Sequence, residues 1–194
     1  MYRWELLNLL AFKYRYNDYL EIGCQNVNVN FNKIIAFNKI SVDPEPVFEV
    51  HHKCTSDEFF SRNLRFFDLI FIDGLHHYEQ VLKDVNNALN CLLPNGTIVV
   101  HDCLPTTEVM QQREDNGGEW TGDVWKAIAI LRVTRPDLTI SVVDTDYGCG
   151  LIKKGFSKTY IPLYQNYLNW EYYFRHKTEM LNVIPKPDLN LINI

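Results

Sequence analysis

A chain of 194 residues, 46% hydrophobic and 22% charged, is long enough for one domain with a sizeable core and has the balance of a globular protein. A net charge of -5 argues against a broad nucleic-acid surface, and no apolar run is long enough to cross a bilayer. Five scattered cysteines with no CxxC pair give neither a zinc knuckle nor a disulfide framework, and fit a reducing, cytoplasmic setting.

Trp4, Leu7, Leu10, Ala11 and Tyr14 fall at helical spacing, which predicts a helix over residues 2–15. Its apolar stretch is broken by Asn8 and reads as helix rather than signal peptide. Asp18–Ile22 and Lys39–Val42 read as strands, with Val47–His51 as a further candidate. Thr55 or Ser56 caps a short helix. "FDLIFID" (Phe67–Asp73) is nearly all apolar and suits a central parallel strand covered on both faces. A helix follows, with Val81, Leu82, Val85, Ala88, Leu89 and Leu92 on one face. Pro94-Asn95-Gly96 reads as a turn, and "TIVVHD" (Thr97–Asp102) as a second buried strand. A long polar loop, Cys103–Trp120, precedes a helix over Thr121–Arg132. The last strands, Leu138–Asp144 and Cys149–Lys153, are joined too tightly for a crossover and must be antiparallel.

Alternating strands and helices predict an α/β fold with a three-layer Rossmann-like sheet. Ligands of such sheets bind beyond the carboxyl ends of the strands. Those ends carry Glu21-Ile22-Gly23, Asp43, Asp73-Gly74 and His101-Asp102, so the polar residues gather on one rim. Gly23 opens a loop in which Gln25 and Val27 stand where further glycines would be expected. A pyrophosphate needs bare backbone brought close, hence several glycines. S-adenosylmethionine (SAM) carries no phosphate, so one glycine can suffice. Asp43, one βα unit later, is placed to hold ribose hydroxyls.

The motifs "YLEIG", "SVDP", "TSDEFF", "FDLIFIDGLHHYEQVLKDV", "GTIVVHDCLP", "GEWTGDVWKA" and "DTDYGCG" resemble a class I SAM-dependent methyltransferase. The likeness is to the small bacterial type associated with sugar and natural-product O-methylation, and runs from Tyr19 to Lys154. That subgroup also carries an Asn and an Asn-Phe-Asn in its first loop, matched by Asn26 and Asn30-Phe31-Asn32. The resemblance implies strand order 3-2-1-4-5-7-6 with the last hairpin antiparallel. It implies a methyltransferase domain over 1–155, led by an N-terminal helix at 1–16, with an aromatic-rich helical extension at 156–194 packed on it. Glu21, Gly23, Cys24, Asp43, Ser56, Asp73 and Gly74 would border SAM, with Ser56 near the adenine.

A second constellation is Asp73, His76, His101 and Asp102. Neighbouring strands lie about 4.8 Å apart, so Asp73, His101 and Asp102 can converge on one ion. Two carboxylates suit Mg²⁺, and the imidazole moves the preference toward Mn²⁺ or another transition ion. His101 departs from the family, where an acidic residue is the usual partner. By the same resemblance His76 is the base that takes the proton from the acceptor hydroxyl. The catalytic set is therefore His76, Asp73 and Asp102. The acceptor would be a sugar, glycan or other small hydroxylated molecule, with no nucleic-acid or membrane partner. Loop 103–120 reads as a lid, with Glu108, Arg113, Glu119 and Trp120 as acceptor contacts. Trp125 reads as core, and the aromatic tail as a docking face or homodimer seam. A non-catalytic SAM or nucleotide-binding scaffold of the same fold is the alternative. A dinucleotide-dependent oxidoreductase would lack its phosphate loop.

Overall fold

A computed structural model describes residues 1–115 and 117–187; the last part of the expected 156–194 extension lies outside the described residues. The chain runs α1 (Arg3–Tyr14), β1 (Asp18–Ile22), a 3₁₀ turn (Phe31–Lys33), β2 (Asn38–Val42), α2 (Ser56–Arg62), β3 (Phe67–Ile72), α3 (Tyr78–Asn90) and β4 (Leu92–Val100). It continues through α4 (Trp125–Thr134), β5 (Leu138–Asp144), β6 (Cys149–Lys154), α5 (Trp170–Met180) and β7 (Val183–Pro185).

The strands form one sheet in the order β2-β1-β3-β4-β6-β5-β7. Strand β6 is antiparallel to both β4 and β5, and the remaining pairs are parallel. This is the expected order with two differences at the edges. The candidate strand Val47–His51 is reduced to a single parallel bridge between Val42 and His52. Pro44 and Pro46 have no N–H to offer a ladder, and Val47 instead donates its N–H to the Gln25 carbonyl at 2.7 Å. On the far edge, β7 pairs with β5 beyond α5.

Apolar residues cover both faces of the sheet. Leu20, Ile70, Ile72 and Ile98 face α2–α5, while Tyr19, Leu69, Phe71 and Val99 face α1 and the loop after β1. The alternation along β1, β3 and β4 is that of strands covered on both sides. Trp125 is fully buried, as expected, against Tyr173 of α5 at 4.6 Å between ring centroids. Tyr172 and Tyr173 are buried with it, whereas Tyr164 and Phe174 are exposed.

Two boundaries move for local reasons. Strand β4 begins at Leu92, and its pairing jumps from Phe67–Leu92 to Leu69–Thr97, so Pro94-Asn95-Gly96 are bulged out. Helix α4 starts at Trp125 rather than Thr121. Gly122 adopts φ +55, packed so closely on the His76 carbonyl that a methyl group would collide with it. The Asp123 N–H donates to that same carbonyl at 3.1 Å, and an Asp123 carboxylate oxygen accepts the Tyr78 N–H at 2.9 Å. Gly122 and Asp123 are held by the start of α3 and so cannot join α4.

Candidate active site

The carboxyl ends of β1–β4 open into one cavity of about 820 Å³, within the size range of small-ligand sites. All the residues expected to border SAM line it: Glu21, Gly23, Cys24, Asp43, Ser56, Asp73 and Gly74.

Gly23 has φ +85, and a side chain there would collide with the Asp73 carbonyl. The first turn is therefore glycine because β1 and β3 leave it no room, and because its φ is in the left-handed region. Glu21 is only 2% exposed, and accepts hydrogen bonds from the Tyr19 hydroxyl and from Asn30 Nδ2. Burial pushes its carboxyl up to about 7. The Cys24 thiol is also buried, and burial pushes it far up, which makes it an inert wall rather than a nucleophile. Asp43 accepts the N–H groups of Gln25 and Glu45, each at 2.8 Å. It thus shapes the loop as well as facing the cavity. Thr55 caps α2 through a reciprocal bond with Glu58, which leaves Ser56 at the first helical position, its hydroxyl accepting from Gln80 Nε2 at 3.2 Å.

At the inner end, Asp73 and His101-Asp102 follow adjacent strands, and His76 lies in the turn before α3. His76 Nε2 stands 3.4 Å from Asp73 Oδ1 and 3.5 Å from Asp102 Oδ2. His101 Nδ1 stands 3.3 Å from Asp73 Oδ1 and 3.2 Å from Asp102 Oδ1. Burial by itself would raise the Asp73 carboxyl, but His101 and His76 hold it well below the usual carboxylate range. Burial by itself would lower both imidazoles; the carboxylates of Asp73 and Asp102 instead raise them, His101 most strongly. Asp102 takes φ +60, an uncommon backbone for a non-glycine residue and one that clusters at functional sites.

The donor set fits a divalent ion. Among the described residues, Asp73, His76 and Asp102 form the group whose ligand atoms all lie within 4.8 Å of one another; His101, the imidazole expected there from the sequence, is not in that group, although its Nδ1 stands beside both carboxylates. His101 Nδ1 is buried and makes no well-directed hydrogen bond despite the carboxylates beside it. Adjacent ligands of an octahedral ion with bonds of about 2.1 Å stand ~3 Å apart, close to these separations.

Two neighbours were not singled out in the sequence. Arg3 of α1 brings its Nε to 3.8 Å from Asp73 Oδ2, and Asp146, in the β5–β6 turn, lies 3.6 Å from His101 Nε2. Asp146 sits in "DTDYGCG", which is marked in the sequence without a role for that residue; Arg3 carries no signal beyond heading a helix.

The loop Cys103–Trp120 is fastened over the rim. Cys103 and Leu104 donate their N–H groups to Gly148 and Tyr147, and the Tyr173 hydroxyl donates to the Pro105 carbonyl. Of the four acceptor-contact candidates on it, Trp120 lines the cavity, while Glu119 accepts from the Tyr147 hydroxyl at its edge. Arg113 is engaged with Glu79 and Asp123, and Glu108 is exposed and does not line the cavity. The Tyr-x-x-x-Lys spacing from Tyr173 to Lys177 lies in α5, where Tyr173 is fully buried, and neither residue lines the cavity.

Residues 25–103 match a family model described as "Methyltransferase domain". No curated protein matches the chain. Among solved structures, the O-methyltransferase TomG from Streptomyces achromogenes, in complex with SAM, is 17% identical with a TM-score of 0.57, covering 78% of each chain. The S-adenosylhomocysteine (SAH)-bound methyltransferase PaMTH1 from Podospora anserina is 15% identical with a TM-score of 0.57, covering 79% of this chain and 77% of its own. The N-methyltransferase NodS from Bradyrhizobium japonicum WM9 is 17% identical with a TM-score of 0.52, covering 80% and 95%. At these identities the likeness is one of fold. This chain has the Rossmann-like fold of the class I methyltransferases, with a methyltransferase-domain match that runs from Gln25 to Cys103.

Proposed function

We propose that the chain is a SAM-dependent O-methyltransferase acting on a sugar, glycan or other small hydroxylated acceptor. The observation that carries this reading is the continuity of one cavity from Gly23 and Asp43 at one end to Asp73, His76 and Asp102 at the other. The first end has a single close-packed glycine and two carboxylates, which suits a phosphate-free cofactor with ribose hydroxyls and a cationic amino acid. The second end has an imidazole held between two carboxylates, which suits removal of a hydroxyl proton.

In the transfer, the acceptor oxygen attacks the methyl carbon in line with the departing sulfur. A C–O bond forms, the S–C bond breaks, and its electron pair stays on sulfur to leave SAH. The hydroxyl proton passes to His76 Nε2. Asp73 and Asp102 hold the ring in place and stabilise the imidazolium that results. A divalent ion held by Asp73, His101 and Asp102 would lower the pKa of a bound hydroxyl. Trp120, at the open side of His76, would form a wall of the acceptor site.

Calorimetric titration with SAH, with NADH as control, tests the cofactor half. Micromolar binding of SAH alone is the expected result, and binding of neither removes the reading. An acceptor screen with SAM, with hydroxyl and amine acceptors run in parallel and with and without Mn²⁺, then tests the O-transfer half.

A further inference from the structure

Asp84 of α3 takes no part in the transfer described above. It is 1% exposed and does not line the cavity. Burial raises its carboxyl to about 6, and hydrogen bonds from the Ser56 hydroxyl and the Gln80 amide hold it from rising further. A buried charge is tolerated where donors are fixed around it. Here those donors come from two residues that do line the cavity. Ser56 is at the first position of α2, and Gln80 is one turn before Asp84 on the same face of α3.

Gln80 Nε2 stands 3.0 Å from Asp84 Oδ1, 3.2 Å from Ser56 Oγ and 3.3 Å from Asp57 Oδ1. Asp57 is in turn tied to Lys83, whose Nζ lies 2.5 Å from its Oδ2. An ionised carboxylate only accepts hydrogen bonds. Turned the other way, the amide would set its carbonyl oxygen against two carboxylates, so charge fixes its orientation. The three acceptors take up the Nε2 end. Among the described residues none donates to Oε1, and Oε1 is not a buried atom. The unengaged end of this residue on the cavity wall is thus an acceptor with a fixed direction.

The rest of the cavity leaves this side for the base of a nucleoside. Asp43, at the end of β2, is placed for ribose, and Asp73, His76 and Asp102 stand where the methyl group is transferred. We propose that Gln80 Oε1 is a specificity-determining acceptor for the 6-amino group of the cofactor's adenine, and that Asp84 is the buried positioning residue that keeps the amide turned that way. The inference rests on the SAM-binding half of the function proposed above. A 6-oxo base would set its carbonyl oxygen against Oε1, and two acceptors left facing each other cost about 10- to 100-fold in affinity.

The test is a calorimetric titration of the full chain with SAH and with S-inosylhomocysteine, which differs from it only in carrying a 6-oxo base. It is run at pH 8, where Asp84 is ionised, on the wild type, Gln80→Met, Asp84→Ala and the double variant. Wild type is expected to bind SAH about 10- to 100-fold more tightly than S-inosylhomocysteine. Gln80→Met keeps the length of the side chain and removes the acceptor. It should weaken SAH and not S-inosylhomocysteine, so that the preference falls to about twofold or less. Asp84→Ala should narrow the preference, because a freed amide can turn its N–H to a 6-oxo group. In the Gln80→Met background Asp84→Ala should leave the ratio of the two affinities unchanged, because its effect runs through the amide. Equal binding of the two ligands by the wild type overturns the proposal without recourse to any variant. So does a Gln80→Met protein that keeps the preference or loses both ligands equally, or an Asp84→Ala protein with the full wild-type preference. A wild type that does not bind SAH sinks the SAM reading and this inference with it; SAH binding matched by S-inosylhomocysteine sinks this inference alone.

Discussion

The Trp120 ring lies against the His76 ring, with centroids 4.7 Å apart and planes 26° off parallel. Its indole N–H donates to the Gln112 carbonyl at 2.6 Å, so the loop that carries it fixes it there. His76 is thereby held on one side by Trp120 and on the other by Asp73 and Asp102. If His76 is the base, His76→Ala should lower turnover by about 10²- to 10⁴-fold while SAH affinity stays within about twofold. Trp120→Ala should cost less, about tenfold, and mainly in kcat/KM for the acceptor. Single-turnover rates with SAH binding measured alongside would decide it. A His76→Ala variant with wild-type turnover removes the base assignment.

Much of this arrangement was legible because it depends on where strands end. "FDLIFID" has to be a central strand, and whatever follows it has to lie on the rim; the same holds for "EIG" and for "VVHD". Asp73, His101 and Asp102 come together from that rule, whereas His76, in the turn between β3 and α3, is singled out by the family resemblance. Arg3 and Asp146 do not obey it. Arg3 reaches the rim from the first turn of α1, and Asp146 from a hairpin tip that the antiparallel β6 brings back over β4. Their partners are far away in the chain, and neither residue type announces such a contact. Asp123 is a similar case, since it caps α3 across 45 residues. Pro94-Asn95-Gly96 shows the reverse limit: its turn chemistry is plain in the sequence, but whether it ends a strand or bulges out of one is decided by the register with β3.

Glu21 gives a pH prediction. Its carboxyl is raised from 4.5 to about 7 in the folded chain by burial. Below the lower value it is protonated whether the chain is folded or not, and folding carries no cost from it. Between the two values the folded chain holds a proton that the unfolded chain has released, so stability falls as pH rises, by about 3 kcal/mol in all. Glu21→Gln should flatten that fall. Urea unfolding of both proteins at pH 5 and pH 8 measures it, and an identical pH dependence in the two would refute the assignment. A cationic amino-acid group near Glu21 favours its ionised form, so SAH binding at pH 6 should release a proton. Titrations in buffers of different ionisation enthalpy read that release directly.

The glycines separate structural need from loop filling. Gly23 and Gly122 both have positive φ and both press on a carbonyl, of Asp73 and His76 respectively. Gly118 has open space around its α-carbon. Gly23→Ala should lower stability by about 2 kcal/mol or more and abolish SAH binding, because the cofactor turn and the end of β3 would be forced apart. Gly122→Ala should disturb His76 instead, lowering turnover with SAH affinity largely kept. Gly118→Ala should stay within about 0.5 kcal/mol of wild type. A Gly23→Ala protein that binds SAH normally would mean that the cavity is not organised around that turn.

Removal of metal tests the inner end of the cavity. Chelation followed by exchange into metal-free buffer should leave SAH binding in place, since Asp43 and Ser56 belong to β2's end and α2 rather than to the cluster of Asp73, His101 and Asp102, and no phosphate needs neutralising. Turnover should fall, because an acceptor hydroxyl then has to lose its proton to His76 unaided. Mn²⁺ should restore it better than Mg²⁺: Mg²⁺ prefers oxygen ligands throughout, whereas a site with an imidazole among its donors suits a transition ion. Restoration should also be weaker at acid pH, because the carboxylates of Asp73 and Asp102 raise His101 above the usual histidine value and an ion bound there has to displace the proton it holds. Elemental analysis of the purified protein, together with rates at graded Mn²⁺ and Mg²⁺, separates the outcomes. Full turnover in a preparation that contains no divalent ion would mean that the two imidazoles, not a metal, balance the carboxylates at this site.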